Sequence, residues 1–204
     1  MFLQGSLFGV CEPDVDTRFL ETRRVDLDEH SWIDYTPGWL NGADTVFNEL
    51  LDKLELRQRT GIAMYDSVVS EPRLTASWHA DEYPAGGPTQ ILDDVRQTLT
   101  ERYHRPFDSI GFNLYRNGAD SVAWHGDRHR KHVTDPVVAI MSVGESRPLK
   151  VRPLGGGQSR SWDLGRGDLF VMGGACQHDW EHCVPKVRRG IGPRMSITFR
   201  HDTR

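Results

Sequence analysis

The chain has 204 residues, 37% of them hydrophobic and 26% charged, with a formal net charge of −4. That length fits one domain, or one domain with an N-terminal extension, and the composition is that of a water-soluble globular protein. No stretch approaches the roughly 18 apolar residues that cross a bilayer. The first residues lack the basic region of a secretory signal, and Cys11, Cys176 and Cys183 form no Cys-x-x-Cys pair, which argues against a structural zinc site and for a reducing cytoplasm.

Charge is unevenly placed. Residues 1–110 hold 10 Lys/Arg against 20 Asp/Glu, whereas residues 111–204 hold 15 against 9. A basic C-terminal half can attract a polyanion; the alternative is a solubility pattern that averages out in three dimensions.

In chain order, residues 1–30 show weak periodicity and read as an N-terminal extension that packs loosely. Ser31–Tyr35 alternates as a strand and Pro37-Gly38 stops it. Asn41 reads as a helix N-cap, and Val46, Phe47, Leu50, Leu51 and Leu54 form one amphipathic stripe. Ile62–Tyr65 and Leu74–Trp78 flank Glu71-Pro72-Arg73, which predicts two strands around a turn. His79–Pro88 is a surface loop, and a second helix is expected over Gln90–Tyr103 with Ile91, Val95, Leu99 and Tyr103 inward.

From Ile110 onward strands dominate. Gly111–Tyr115 alternates before the Asn117-Gly118 turn; Val137–Val143, Leu149–Arg152, Asp168–Met172 and Met195–Phe199 are further strands, with Gly155–Gly157 at a hairpin tip. Two helices followed by many short strands predict an α+β, mainly β protein: an antiparallel sandwich or barrel with helices outside.

Chemistry concentrates in three places. His125-Gly126-Asp127 can point an imidazole and a carboxylate the same way from extended backbone. A second imidazole from a distant strand would complete a two-His, one-carboxylate face with open positions, the usual home of non-haem Fe(II). The competing reading of His125 and Asp127 is an ordinary His and Asp beside a turn. A later segment holds His178 and His182. On the last strand Arg194, Ser196, Thr198 and Arg200 share one face, so either two guanidinium groups about 20 Å apart at Cα embrace a small dianion between them, or they pair with surface acids.

Together Asn113-Leu114-Tyr115, Asn117-Gly118, His125-x-Asp127, Gly167-Asp168, the His182 segment and Arg194-x-Ser196-x-x-x-Arg200 resemble the AlkB family of Fe(II)/2-oxoglutarate-dependent dioxygenases. Tyr35-x-Pro37-Gly38-Trp39-Leu40 and Glu71-Pro72-Arg73-Leu74 extend the resemblance to about residues 31–201. It implies a single domain over 31–204 with a double-stranded β-helix (jelly-roll) core at about 110–201, outer helices, and a nucleotide-recognition lid at about 60–85. It also implies catalytic iron held by His125, Asp127 and His182, with His178 in a loop or cleft. The 2-oxoglutarate contacts would be Asn113, Tyr115, Arg194, Ser196 and Arg200. Of these, Arg194 and Tyr115 would meet the distal carboxylate, and Arg200 would lie toward the metal-chelating end.

The implied activity is oxidative dealkylation of N-alkylated nucleobases in DNA or RNA. It uses Fe(II), 2-oxoglutarate and O2 and releases aldehyde, succinate and CO2. A base in a duplex cannot reach a buried iron, so the implied partner is single-stranded or flipped-base alkylated nucleic acid, with no membrane and no obligate protein partner. The alternative keeps the metal chemistry on a tRNA base, protein side chain or small metabolite. Met64, Tyr65, Trp78, Arg128 and His129 are the substrate candidates, Trp78 reading equally as a stacking platform or a core aromatic. Arg128, Arg130, Lys131 and His132, with Arg188 and Arg189, make either a phosphate patch or a solvated loop. Two positions depart from the family pattern: Ser196 replaces an Asn, and His129 an acidic residue.

Overall fold

The middle strands of this protein are apolar on both faces, so they can be buried only between two layers. A computed structural model of the chain describes residues 12–60, 62–64, 67–82, 87–127, 135–188 and 190–201, without side chains for 62–64 and 67–69. In order the elements are β1 (Asp14–Val15), β2 (Arg23–Asp26), β3 (Ser31–Thr36), β4 (Leu40–Asn41), α1 (Ala43–Lys53), β5 (Ile62–Met64), β6 (Ser67–Val69), β7 (Leu74–His79) and α2 (Gln90–Tyr103). The strand-rich half follows: β8 (Ser109–Tyr115), β9 (Val122–His125), β10 (Val138–Gly144), β11 (Arg147–Pro153), β12 (Arg160–Leu164), β13 (Asp168–Gly174), α3 (Cys176–Asp179), β14 (Trp180–Val184) and β15 (Arg194–Arg200).

Two antiparallel sheets carry the fold. The larger has the order β2-β3-β13-β10-β15-β8-β7 and the smaller β12-β11-β14-β9. From β8 onward the chain crosses between them at every step except the β11–β12 hairpin, which makes the core a double-stranded β-helix. On β10, Ala139, Met141 and Val143 join one apolar cluster with α1 and α2, while Val138 and Ile140 join a second with Leu149, Val151 and Val184 of the smaller sheet. The helices cover the outer face of the larger sheet. On β15 the alternation changes character. Met195, Ile197 and Phe199 enter the helix-side core, but Arg194, Ser196, Thr198 and Arg200 occupy the face on which β10 and β13 supply apolar side chains. That polar strip inside the roll is where the site forms.

Several sequence expectations need correcting. Residues 12–30 do not pack loosely: β1 pairs with β4, β2 pairs with β3, and Val15, Phe19 and Leu27 are buried. Arg24 clamps the buried Asp34 through two hydrogen bonds. The cap of α1 is Gly42 at φ 69°, not Asn41, because the backbone of Asn41 is already paired with Asp14. Leu51 faces outward. The strand at Ile62–Met64 pairs with Ser67–Val69 rather than with β7, which instead forms the edge of the larger sheet beside β8. Helix α2 and strands β3, β8, β10, β11, β13 and β15 lie where the periodicity places them. The Asn117-Gly118 turn carries the chain from one sheet to the other, and the Asn117 side chain accepts from the Ala119 N–H.

Candidate metal and cosubstrate site

His125 and His182 are direct partners across the β9–β14 pair, and their ring centroids lie 4.3 Å apart. Asp127 follows two residues after His125, and one ligand atom from each of His125, Asp127 and His182 lies within 4.8 Å of the others. His178 sits exposed on α3, outside this group. The His125 Nδ1 is 2.9 Å from the Ala123 carbonyl oxygen. A carbonyl only accepts, so Nδ1 carries the proton and Nε2 keeps its lone pair for a metal.

Asp127 is held through one carboxylate oxygen and through its backbone. Its Oδ1 accepts from Arg200 Nη2 at 2.9 Å. Its backbone N–H donates to Gln177 Oε1 at 3.0 Å. A Cβ on Gly126 would lie 3.0 Å from the Gln177 carbonyl oxygen, so glycine permits this close approach to α3. Asp127 Oδ2 is buried with no hydrogen-bond partner. Burial acts to raise this carboxyl, but the charge and hydrogen bond of Arg200 outweigh it and hold it below the usual carboxylate range. Burial also pulls His182 down to about 4, against the attraction of Asp127, so it is neutral at physiological pH.

Behind this cluster lies a buried cation. Arg194 is fully buried; Nη2 donates to Ser142 Oγ at 2.6 Å, while Nε and Nη1 have no partner. Its guanidinium lies 5.5 Å from the Tyr115 ring centroid, and a second fully buried arginine, Arg147, lies 5.7 Å from the same ring. Arg147 donates to the carbonyls of Asn117, Asp120 and Pro185. Burial, then the Arg147 charge, pull Arg194 down to about 10 against the opposing attraction of Tyr115, and it stays cationic at neutral pH. Burial raises the Tyr115 hydroxyl. Two free donors on a buried cation are costly unless an anion completes them.

A buried open carboxylate oxygen beside the His125 and His182 rings fits a divalent transition metal. The orphaned Arg194 donors fit the carboxylate of a small dianion. Among the expected cosubstrate residues, Arg194 and Tyr115 are cross-strand partners, as are Ser196 and Asn113. Arg200 reaches the metal end: its Nη1 lies where a Cβ on Gly111 would come within 2.9 Å.

The substrate candidates fare differently. Trp78 is 4% exposed. It pairs with Ile110 on the helix side of the sheet, and Arg96 covers its ring at 4.4 Å. It is a core aromatic, one of its two sequence readings, rather than a stacking platform. The register turns Thr75, Ser77 and His79 to the metal side instead, opposite Asn113, Gly111 and Ser109. Tyr65, Arg128, His129, Arg130, Lys131, His132 and Arg189 lie outside the described residues, as does the side chain of Met64; Arg188 is exposed. Ser142, Arg147 and Gln177 were not anticipated. Each acts through contacts distant in sequence, and none stands at a diagnostic spacing.

The family model described as "2OG-Fe(II) oxygenase superfamily" matches residues 41–200. The chain is 34% identical over 183 residues to "Alpha-ketoglutarate-dependent dioxygenase alkB homolog 3" of Bos taurus and 32% to that of Homo sapiens, covering 80% of this chain and 64% of each relative. It is 31% identical over 147 residues to "DNA oxidative demethylase ALKBH2" of Arabidopsis thaliana, covering 61% of this chain and 45% of that protein. The chain thus spans under two thirds of the length of these relatives. A crystal structure of a Pseudomonas putida prolyl-4-hydroxylase shares the fold, with a TM-score of 0.52 at 19% identity, covering 84% of this chain and 93% of that one. No helix among the described residues is long and apolar enough to cross a membrane.

Proposed function

The chain belongs to the 2OG-Fe(II) oxygenase superfamily, and from that premise we propose that it is an AlkB-type enzyme that oxidatively dealkylates N-alkylated bases of DNA or RNA. The observation that carries this reading is the pairing of two unmet needs in one buried strip: the open Asp127 Oδ2 among two imidazoles and the open donors of Arg194. His125, Asp127 and His182 would hold Fe(II), and Arg194, Tyr115, Asn113, Ser196 and Arg200 would hold 2-oxoglutarate. Together the bound metal and cosubstrate supply O2-dependent oxidation, coupling decarboxylation to succinate and CO2 with hydroxylation of an N-alkyl carbon, which then leaves as aldehyde.

The chain's own residues bind, orient and exclude water. Ala123 would fix the His125 tautomer, Arg200 the Asp127 carboxylate and Gln177 the Asp127 backbone, and the two sheets would limit water at the strip. Thr75, Ser77 and His79 on β7 are the described residues best placed to meet a flipped base. The β5–β6 hairpin within about 60–85 would act as the lid of a single domain over 31–204, and Arg128 and His129 stand next to the metal motif in sequence.

Incubating the protein with 1-methyladenine- and 3-methylcytosine-containing single strands should release formaldehyde in step with succinate, and Asp127→Ala should abolish both. Turnover of 2-oxoglutarate without substrate-dependent formaldehyde would point to a protein side chain or small metabolite instead.

A further inference from the structure

Asn113 has a donor end and an acceptor end, and which one faces the site decides whether it can serve an anion. An amide presents Oδ1 or Nδ2 according to its hydrogen-bond network. Arg73 Nε donates to Asn113 Oδ1 at 2.8 Å. A guanidinium has donors only, so it tolerates Oδ1 in that position and rejects Nδ2. The acceptor end is thereby turned toward Arg73, and Nδ2 is the end left for an incoming carboxylate. Arg73 is itself held in place. Its Nη2 lies 3.2 Å from Glu71 Oε2, and the two side chains are 16% and 15% exposed. The backbone around them is fastened on both sides: the Glu71 N–H donates to the Arg59 carbonyl, and the Pro72 carbonyl accepts from Ser121, just ahead of the strand that carries His125.

We propose that Arg73, set by Glu71, is a positioning residue for 2-oxoglutarate that acts through Asn113 by fixing its amide orientation. This rests on the reading of Asn113 and Arg194 as cosubstrate residues. Among the described residues, Arg73 shows no hydrogen bond or ion pair to His125, Asp127 or His182, and its charge is balanced by Glu71; its one hydrogen bond toward the site is the one to Asn113.

A double-mutant cycle tests this. Calorimetry of 2-oxoglutarate binding to anaerobic Fe(II)-loaded protein should show Arg73→Met weakening affinity about tenfold, the scale of one hydrogen bond to an ordered polar group. Mn(II) affinity of the same variant should match wild type, and Arg73→Lys should not restore cosubstrate binding, because lysine lacks the Nε geometry. In the Asn113→Ala background, Arg73→Met should cost nothing further. Losses that add in the double variant, or an unchanged affinity in Arg73→Met, overturn the inference. If Arg194→Met loses 2-oxoglutarate while Arg73→Met does not, the inference fails and the site reading stands. If wild type binds no 2-oxoglutarate, both fail together.

Discussion

Arg200 Nη2 lies 2.9 Å from Asp127 Oδ1, while Asp127 Oδ2 is buried with no partner. One oxygen of the carboxylate is thus tied to the last strand, and the other is left open in a group that also holds His125 and His182. The arginine thus orients the proposed ligand and offsets its buried charge at once.

Removing Arg200 should therefore hurt both fold and metal site. Arg200→Ala leaves a buried carboxylate without its cation, a loss of about 3 kcal/mol, at the lower end for buried pairs because the Arg200 side chain is 23% exposed. Urea unfolding of metal-free protein at pH 7 reads the loss, and a Mn(II) titration should show weaker binding.

Arg194 should show the opposite balance. A fully buried guanidinium with two unmet donors destabilises the ligand-free fold. Arg194→Met should leave the melting temperature of ligand-free protein unchanged or raised, by up to about 2 kcal/mol in stability. The same variant should lose roughly a hundredfold or more in 2-oxoglutarate affinity, as charge-assisted bonds disappear. Thermal melts with and without 2-oxoglutarate measure both.

Gln177 would support the proposed metal site from α3. Gln177→Ala removes the acceptor for the Asp127 N–H, and about a tenfold loss of metal affinity is expected with the fold retained. His178→Ala, one residue along and exposed, should leave metal affinity at wild-type level. Parallel Mn(II) titrations separate the two.

Asp120 gives a pH signature away from the ligands. The hydrogen bond from Arg116 holds its carboxyl below the usual range, against the effect of burial. The folded value is below the unfolded one, so this stabilisation is complete above about pH 4 and is lost as pH falls through the folded value. Asp120→Asn should cost about 1 kcal/mol at pH 7, and the gap from wild type should close below pH 4 in urea melts.

Much of this was legible in the chain because side-chain alternation survives burial. The faces of β15, with Met195, Ile197 and Phe199 opposite Arg194 and Arg200, are readable as printed, and so is the His125–Asp127 pair. Register is not. Trp78 is apolar, aromatic and near the expected lid, but only its pairing with Ile110 shows that it faces the helices. The β14 strand, Trp180–Val184, mixes Glu181 with buried Cys183 and gives no clean period. Gln177 and Ser142 matter through partners 50 and 52 residues away, a relation that no local pattern carries.

The most direct measurement is anaerobic calorimetry of Fe(II) and then 2-oxoglutarate. Wild type should bind one Fe(II) and then one 2-oxoglutarate. His125→Ala, Asp127→Ala and His182→Ala should lose the first step, and Arg194→Met only the second. Full Fe(II) binding by His182→Ala, or undiminished 2-oxoglutarate binding by Arg194→Met, would contradict the account.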